Sequence, residues 1–297
     1  MATIPASANM PDTSPVDLPA GTTRQSRCRV DWITTVVIVG LHVGAVAAFF
    51  PPFLTWQAVL LTVVMQLICG LGVTVGYHRL LTHRSFRTFK PIEYFFSWLG
   101  SLNLQGGPIH WTATHRLHHQ HSDQEQDPHT PRHGFFWAHM KWCLMFDPNF
   151  DPFHKYSQYA RDLARDIGHR VIEHGMPIST LVMAAVLYWF GGWSFVMWGV
   201  CVRLVYVYHI TWLVNSATHM WGYRNFETKD DSRNLWWVGL TAFGEGWHNN
   251  HHAWPRSARH GMKPWEFDIS WVTIRAMQLL GLAYDIRLPG RGASMTG

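Results

Sequence analysis

The chain has 297 residues, 47% hydrophobic and 14% charged, with a net charge of +5 and 20 histidines. That length leaves room for one large domain or two small ones. Near-neutral bulk hydropathy would suggest a soluble protein, but the apolar residues are segregated into long uncharged runs, whereas soluble helices keep a charged face.

In chain order, Met1 to Asp31 is rich in Ser, Thr, Pro and Ala and has no apolar core. That excludes a secretory signal and predicts a disordered tail over 1–30. From Trp32 to Tyr77 there are 46 residues without Asp, Glu, Lys or Arg. Pro51-Pro52 interrupts the run, and proline ends helices, so a hairpin of helices near 32–50 and 53–77 is expected. Where the second helix leaves the apolar run, His78 and His83 stand five apart, a little over one helical turn. They converge only if the helix bends there. Residues 92–104 mix apolar and aromatic positions and suit a membrane interface. His115, His118 and His119 follow at i, i+3 and i+4, one helical face. Asp123, Glu125 and Asp127 come next and can accept from histidine rings.

A further 29 uncharged residues run from His174 to Val202, and 20 more from Leu204 to Tyr223. Gly191-Gly192 divides this stretch into helices near 177–190 and 193–219. Arg203 stands alone inside it, paired, snorkelling or functional. Asn215 and His219 share a helix face at its end. His248, His251 and His252 repeat the HxxHH spacing about 130 residues after the first copy. Pro289–Gly297 reads as a flexible tail, leaving one domain over 31–288.

A bilayer-spanning helix needs roughly 20 apolar residues, so these runs predict an all-α integral membrane protein with four transmembrane helices. Four spans put both termini on one side. Neither tight turn carries Lys or Arg, and every other basic residue except Arg203 lies on the opposite side, which is therefore cytoplasmic. Anionic headgroups and this topology account for the positive charge, and no nucleic-acid partner is required. The ends of helices two and four then share one membrane face with both HxxHH segments. Nine histidines can meet just outside the bilayer, more than one four-ligand metal needs. Two metals fit better, and nitrogen donors suit iron, copper, zinc or nickel.

Together, His78-x4-His83, His115-x2-His118-His119, Asn215-Ser-Ala-x-His219 and Gly244-Glu-Gly-Trp-His248-Asn-Asn-His251-His252 resemble the membrane fatty-acid desaturases, in particular the delta-9, stearoyl-desaturase-like branch, over about residues 30 to 287. The resemblance implies that a cytoplasmic helical domain capping the spans holds a di-iron site. It makes His78, His83, His115, His118, His119, His219, His248, His251 and His252 ligands of two iron ions (Fe2+), with Asn215 reaching a metal through water. It implies O2-dependent insertion of a cis double bond into a saturated acyl chain lying in a kinked tunnel, with Gln105 and Trp111 shaping the bend as substrate-binding residues. Side chains near Leu67 are candidates for the tunnel's closed end. Electrons would come from a separate donor, a ferredoxin or a cytochrome b5-type protein, docking on the cytoplasmic face.

One departure bears on the acyl carrier. The animal acyl-CoA enzymes have Arg-Asp immediately before the second box, and this chain has Ala113-Thr114. Gln105–Ile109 and Ser257–Gly261 resemble the bacterial and plant acyl-lipid type, so a glycerolipid stands beside CoA as carrier. A hydroxylase or acetylenase on the same scaffold is the nearest rival. A non-catalytic histidine-rich metal carrier is more remote, because it needs ligands along a transmembrane path, where only His42 and His209 fall.

Overall fold

The computed structural model describes residues 28–290, and the fold is mostly helical. Arg29–Val30 (β1) opens it, followed by α1 (Trp32–Ala47) and α2 (Trp56–Leu71). The side chain of Asp31 caps α1 by accepting from the Ile33 and Thr34 amides at 3.1 Å, and Thr55 caps α2 through the Ala58 amide at 3.3 Å. Satisfying these otherwise orphaned donors fixes both helix starts. The hairpin falls where Pro51-Pro52 requires it. The second helix does not stop at 77, as expected; it continues to Thr82 as a π-helix over Gly72–Thr82.

Next come β2 (Arg87–Thr88), α3 (Lys90–Ser101), α4 (Pro108–His121), α5 (Phe135–His139) and β3 (Met145–Phe146). The strand β1 pairs antiparallel with β3, with Arg29 opposite Phe146. The chain is therefore built into the fold from Arg29, before the expected boundary at 31; residues 1–27 lie outside the described range, as do 291–297 of the second expected tail.

The long helix α6 (Ile167–Val196) begins ten residues before the expected 177 and carries Pro177 inside it. Its start is anchored: Asp166 caps it, and the buried His169 meets Glu93 of α3 through Nε2 at 2.8 Å. The break at 191–192 is where the sequence put it, since Gly192 (φ 60°, ψ −155°) is not helical. Past it, Gly199 packs back against Leu187, so the chain reverses direction. A π segment (Met197–Val202) leads into α7 (Arg203–Ser216) and a single 3-10 turn, Ala217–His219. The two hairpin tips touch: Ser194 Oγ donates to the Phe53 carbonyl at 2.6 Å, and the Trp198 indole to the Ala48 carbonyl at 3.1 Å.

Among the described residues, Trp56–Thr82 and Ile167–His219 are the two helices long and apolar enough to cross a membrane, and Trp32–Ala47 is a shorter apolar helix. Their outward residues, including Ile33, Leu60, Leu181 and Trp189, are exposed. A large continuous apolar surface of this kind suits membrane association. Beyond them lie α8 (Trp236–Thr241), α9 (His248–Ala253), α10 (Ile269–Leu279) and β4 (Ala283–Tyr284), which pairs with β2.

Arg203 is fully buried and paired. Its guanidinium donates to the Leu102 carbonyl at 2.7 Å and to Asn103 Oδ1 at 2.9 Å, joining α7 to the C-terminal end of α3.

Candidate metal centre

His78 and His83 meet because of the π-helix. Its i→i+5 pattern is visible in the His83 amide donating to the His78 carbonyl at 3.1 Å, and in Thr82 Oγ1 donating to the Tyr77 carbonyl at 2.8 Å. Residues five apart then share a face, and the two rings lie 4.8 Å apart, centroid to centroid. The sequence required a bend here; the structure supplies a wider helix.

The second box lies on α4, whose N-terminus has no capping side chain of its own. A buried carboxylate from α6 serves instead: Glu173 accepts from the Ile109 amide at 2.7 Å, the His110 amide at 3.3 Å and the Tyr156 hydroxyl at 2.7 Å. The third box lies on the short α9, pinned from beneath by Asn250, which accepts from Asn225 and Asn234 and donates to Glu266 and the His260 carbonyl.

All nine boxed histidines come together, in two groups. His78, His83, His115, His119 and His251 form one; His118, His219, His248 and His252 form the other. In the first, His78 Nε2 lies 3.1 Å from His251 Nε2, which lies 2.9 Å from His119 Nε2, itself 3.0 Å from His115 Nε2. In the second, His248 Nε2 lies 3.0 Å from His219 Nε2 and 3.1 Å from His252 Nε2. The groups adjoin, the His119 and His252 rings stacking at 4.6 Å.

Carboxylates hold the far side of several rings. His78 Nδ1 meets Glu245 at 2.5 Å, His118 Nδ1 meets Asp127 at 2.9 Å, His219 Nδ1 meets Asp123 at 3.0 Å, and His252 Nδ1 meets Asp230 at 2.7 Å. A neutral ring that donates from Nδ1 presents a lone pair at Nε2. His118 and His252, both held this way, face each other through Nε2 at 3.4 Å. Converging lone pairs repel unless a cation lies between them, so this donor set fits metal binding, and both histidine groups have the donors for it.

Burial, with the charge of neighbouring histidines, holds His83, His115, His119, His248 and His251 well below the ordinary imidazole range. Burial also takes His252 down to about 4, with Asp230 pulling the other way. His118 runs opposite: burial would lower it, but the charge and hydrogen bond of Asp127 outweigh burial and raise it. Burial would raise Glu245, yet Arg79 at 3.0 Å and His78 hold it well below the usual carboxylate range. Neutral rings are the form in which histidine binds metal.

Asp123 and Asp127 accept from boxed histidines as expected. Glu125 does not; it pairs with His133 at 3.2 Å, turned away from both groups. Asp230 and Glu245 were missed as ring partners. Asp230 sits in an irregular loop that carries no periodic signal, and Glu245, three residues before His248, backs His78 far away in the chain. His260, fully buried with its ring 4.5 Å from that of His251, was also missed.

Two cavities meet beside these rings. The larger, about 420 Å³, runs from Asp31, Thr34 and Phe146 at its outer end past Gln105, Tyr208 and Trp212. The smaller, about 60 Å³, is apolar and lies between Gln66, Gly70 and Val73 on one side and Thr241, Ala242 and Phe243 on the other. Both are lined by Trp111, His115, Thr211 and Asn215. Trp111 stacks on His115 at 5.0 Å, and Gln105 donates to Thr211 Oγ1 at 2.9 Å. Leu67, expected near a closed end, faces outward and lines neither cavity; Gln66 and Gly70 of the same helix do.

The fatty acid desaturase family model matches residues 54–278. The chain is 46% identical to an sn-1 stearoyl-lipid 9-desaturase of Anabaena variabilis, over 88% of this chain and 95% of that one. It is 43% identical to an sn-2 palmitoyl-lipid 9-desaturase of Nostoc sp. (strain 36), over 89% and 93%. To a delta-9 acyl-lipid desaturase 1 of Arabidopsis thaliana it is 41% identical, over 83% of each chain.

Proposed function

The chain belongs to the fatty acid desaturase family, and from that premise we propose that it is an acyl-lipid delta-9 desaturase, an O2-dependent oxidoreductase that inserts a cis double bond into a saturated chain esterified to a glycerolipid. The names of its relatives support the lipid carrier and the bond position, as does Ala113-Thr114 in place of Arg-Asp. One observation carries the reading: nine buried or half-buried histidines form two groups at the junction of two cavities, and His115 belongs both to a metal-competent group and to the shared cavity wall.

In this reading, His78, His83, His115, His119 and His251 hold one iron, and His118, His219, His248 and His252 hold the other. Asn215, on the shared wall, completes the set through water. Bound iron supplies the reduction of O2 and the removal of hydrogen from an unactivated methylene, which no side-chain acid or base can accomplish. The protein supplies position and dryness. The acyl chain enters the larger cavity, turns at Trp111 and Thr211, and places its methyl end in the smaller one. Gln105 fixes Thr211 at the bend. Two electrons arrive from a separate ferredoxin or cytochrome b5-type donor.

The membrane arrangement belongs to the same proposal. Helices Trp32–Ala47 and Trp56–Thr82 and the two arms meeting at Gly192 form four spans, with the touching hairpin tips at the far face and the histidine groups, donor site and termini in the cytoplasm. The contact of the two basic-free turns supports placing them on one side.

The test is the fatty-acid profile of a desaturase-deficient host expressing the chain, with His119→Ala as control. A monounsaturated acid, absent from the control and carrying its double bond at carbon 9, is expected. Hydroxy acids instead would transfer the reading to a hydroxylase, and products unchanged by His119→Ala would detach the chemistry from the histidines.

A further inference from the structure

The carboxylates behind the histidines are unequally shared. Three of the four rings in the four-histidine group are backed by a carboxylate: His118 by Asp127, His219 by Asp123 and His252 by Asp230. In the five-histidine group, among the described residues, His78 alone is so backed, by Glu245. The neutralisation differs too. Glu245 is met by Arg79 at 3.0 Å, a fully buried guanidinium that also pairs with Asp268 at 3.1 Å, so that carboxylate's charge is partly offset where it stands. No arginine or lysine pairs with the side chains of Asp123, Asp127 or Asp230 among the described residues. Arg132 and Arg224 meet Asp231 instead, at 3.6 and 3.8 Å.

The three aspartates are also fixed in place. Asp127 accepts from the Asp123 amide at 2.9 Å and the His129 amide at 3.1 Å; Asp123 accepts from the Asp231 amide at 2.6 Å; Asp230 accepts from the Ser232 amide at 3.1 Å. Each carboxylate therefore stays ionised and aimed at its ring. A ring donating Nδ1–H to a carboxylate becomes a stronger Nε2 donor, and nearby uncompensated negative charge in a buried site favours a cation further.

We propose that the two metal positions are unequal by construction, and that the four-histidine position, backed by Asp123, Asp127 and Asp230, binds its divalent ion first and more tightly than the five-histidine position. Ligand number alone orders them the other way, so the inference rests on what stands behind the ligands. It also rests on the metal reading of the histidine groups given above.

The test is a titration of the purified full-length protein, stripped of metal by chelator, with ferrous iron-57 in the absence of O2. Bound iron is read by equilibrium separation and its environment by Mössbauer spectroscopy. Two classes of binding are expected, the first equivalent giving one quadrupole doublet and the second adding a different one. Asp127→Asn and Asp230→Asn keep the side-chain shape and weaken the first class by roughly 10- to 100-fold each. Glu245→Gln weakens the second class and leaves the first in place. A single class of two equal ions, or a first class removed by Glu245→Gln and untouched by both aspartate variants, overturns the inference while leaving the metal reading intact. A protein that takes up no iron overturns both.

Discussion

His251 faces His119 at 2.9 Å and His78 at 3.1 Å, and its burial is complete. Replacing it removes a donor shared by the third box with the first two. His251→Ala is expected to lower bound iron from two equivalents toward one and to abolish desaturation, read by metal analysis beside product analysis on the same preparation. A different histidine carries a pH prediction. His139 of α5 contacts Ser216 at 3.1 Å and His209 at 3.0 Å. Burial, then the neighbouring His209, brings it down to about 4. Because the fold keeps this ring neutral while the unfolded chain would protonate it below about 6.5, its contribution to stability is complete above that value. That contribution is lost as pH falls from there through 4. Protection of the α5 amides from hydrogen exchange should therefore fall between pH 6.5 and 4, and His139→Gln should flatten the dependence.

At the scale of the element, the π-helix is held by backbone and side-chain hydrogen bonds. Thr82 Oγ1 donating back to the Tyr77 carbonyl is one of them. Thr82→Val keeps the shape and removes that bond, and should destabilise the protein by about 1 kcal/mol. If the π turn relaxes toward α geometry, His83 rotates off the shared face and iron content falls as well. The helix α4 depends on a cap supplied by another helix. Glu173→Ala leaves two buried amides and the Tyr156 hydroxyl without their acceptor, which should cost roughly 1–3 kcal/mol in thermal unfolding. Glu173→Gln, which keeps one acceptor oxygen, should recover part of it. An unchanged melting temperature in Glu173→Ala would show that α4 is aimed by packing alone.

Across the whole molecule, Arg203 ties the apolar helices to the segment that leads into α4. It is fully buried and satisfies the Leu102 carbonyl at the end of α3. Arg203→Met keeps most of the volume and strands those acceptors, and a loss of roughly 3 kcal/mol is expected from the charged hydrogen bonds removed, read as a lower unfolding temperature in detergent. The cavities give a prediction about product. Val73 lines the smaller cavity, where the proposed acyl chain ends. Val73→Phe should shorten the chain length preferred, read as a shift from 18- toward 16-carbon products or shorter, whereas Leu67→Phe, on the outward face, should leave the product profile unchanged.

Local signals fixed much of this in advance. Uncharged runs, a Pro-Pro and a Gly-Gly break located the apolar helices, because lipid-facing segments admit no charge and these dipeptides end helices wherever they stand. The i, i+3, i+4 spacing put three histidines of each HxxHH box on one face, because that spacing is set by the helix itself. What folding alone decided is the meeting of elements distant in the chain. The division of nine rings into five and four, the choice of Asp230 and Glu245 as ring partners over Glu125, and the trans cap from Glu173 all join residues by contacts that no local spacing encodes. The same holds for the burial of Arg203 and for Leu67, whose direction depends on which neighbours α2 packs against, a property of the assembled molecule.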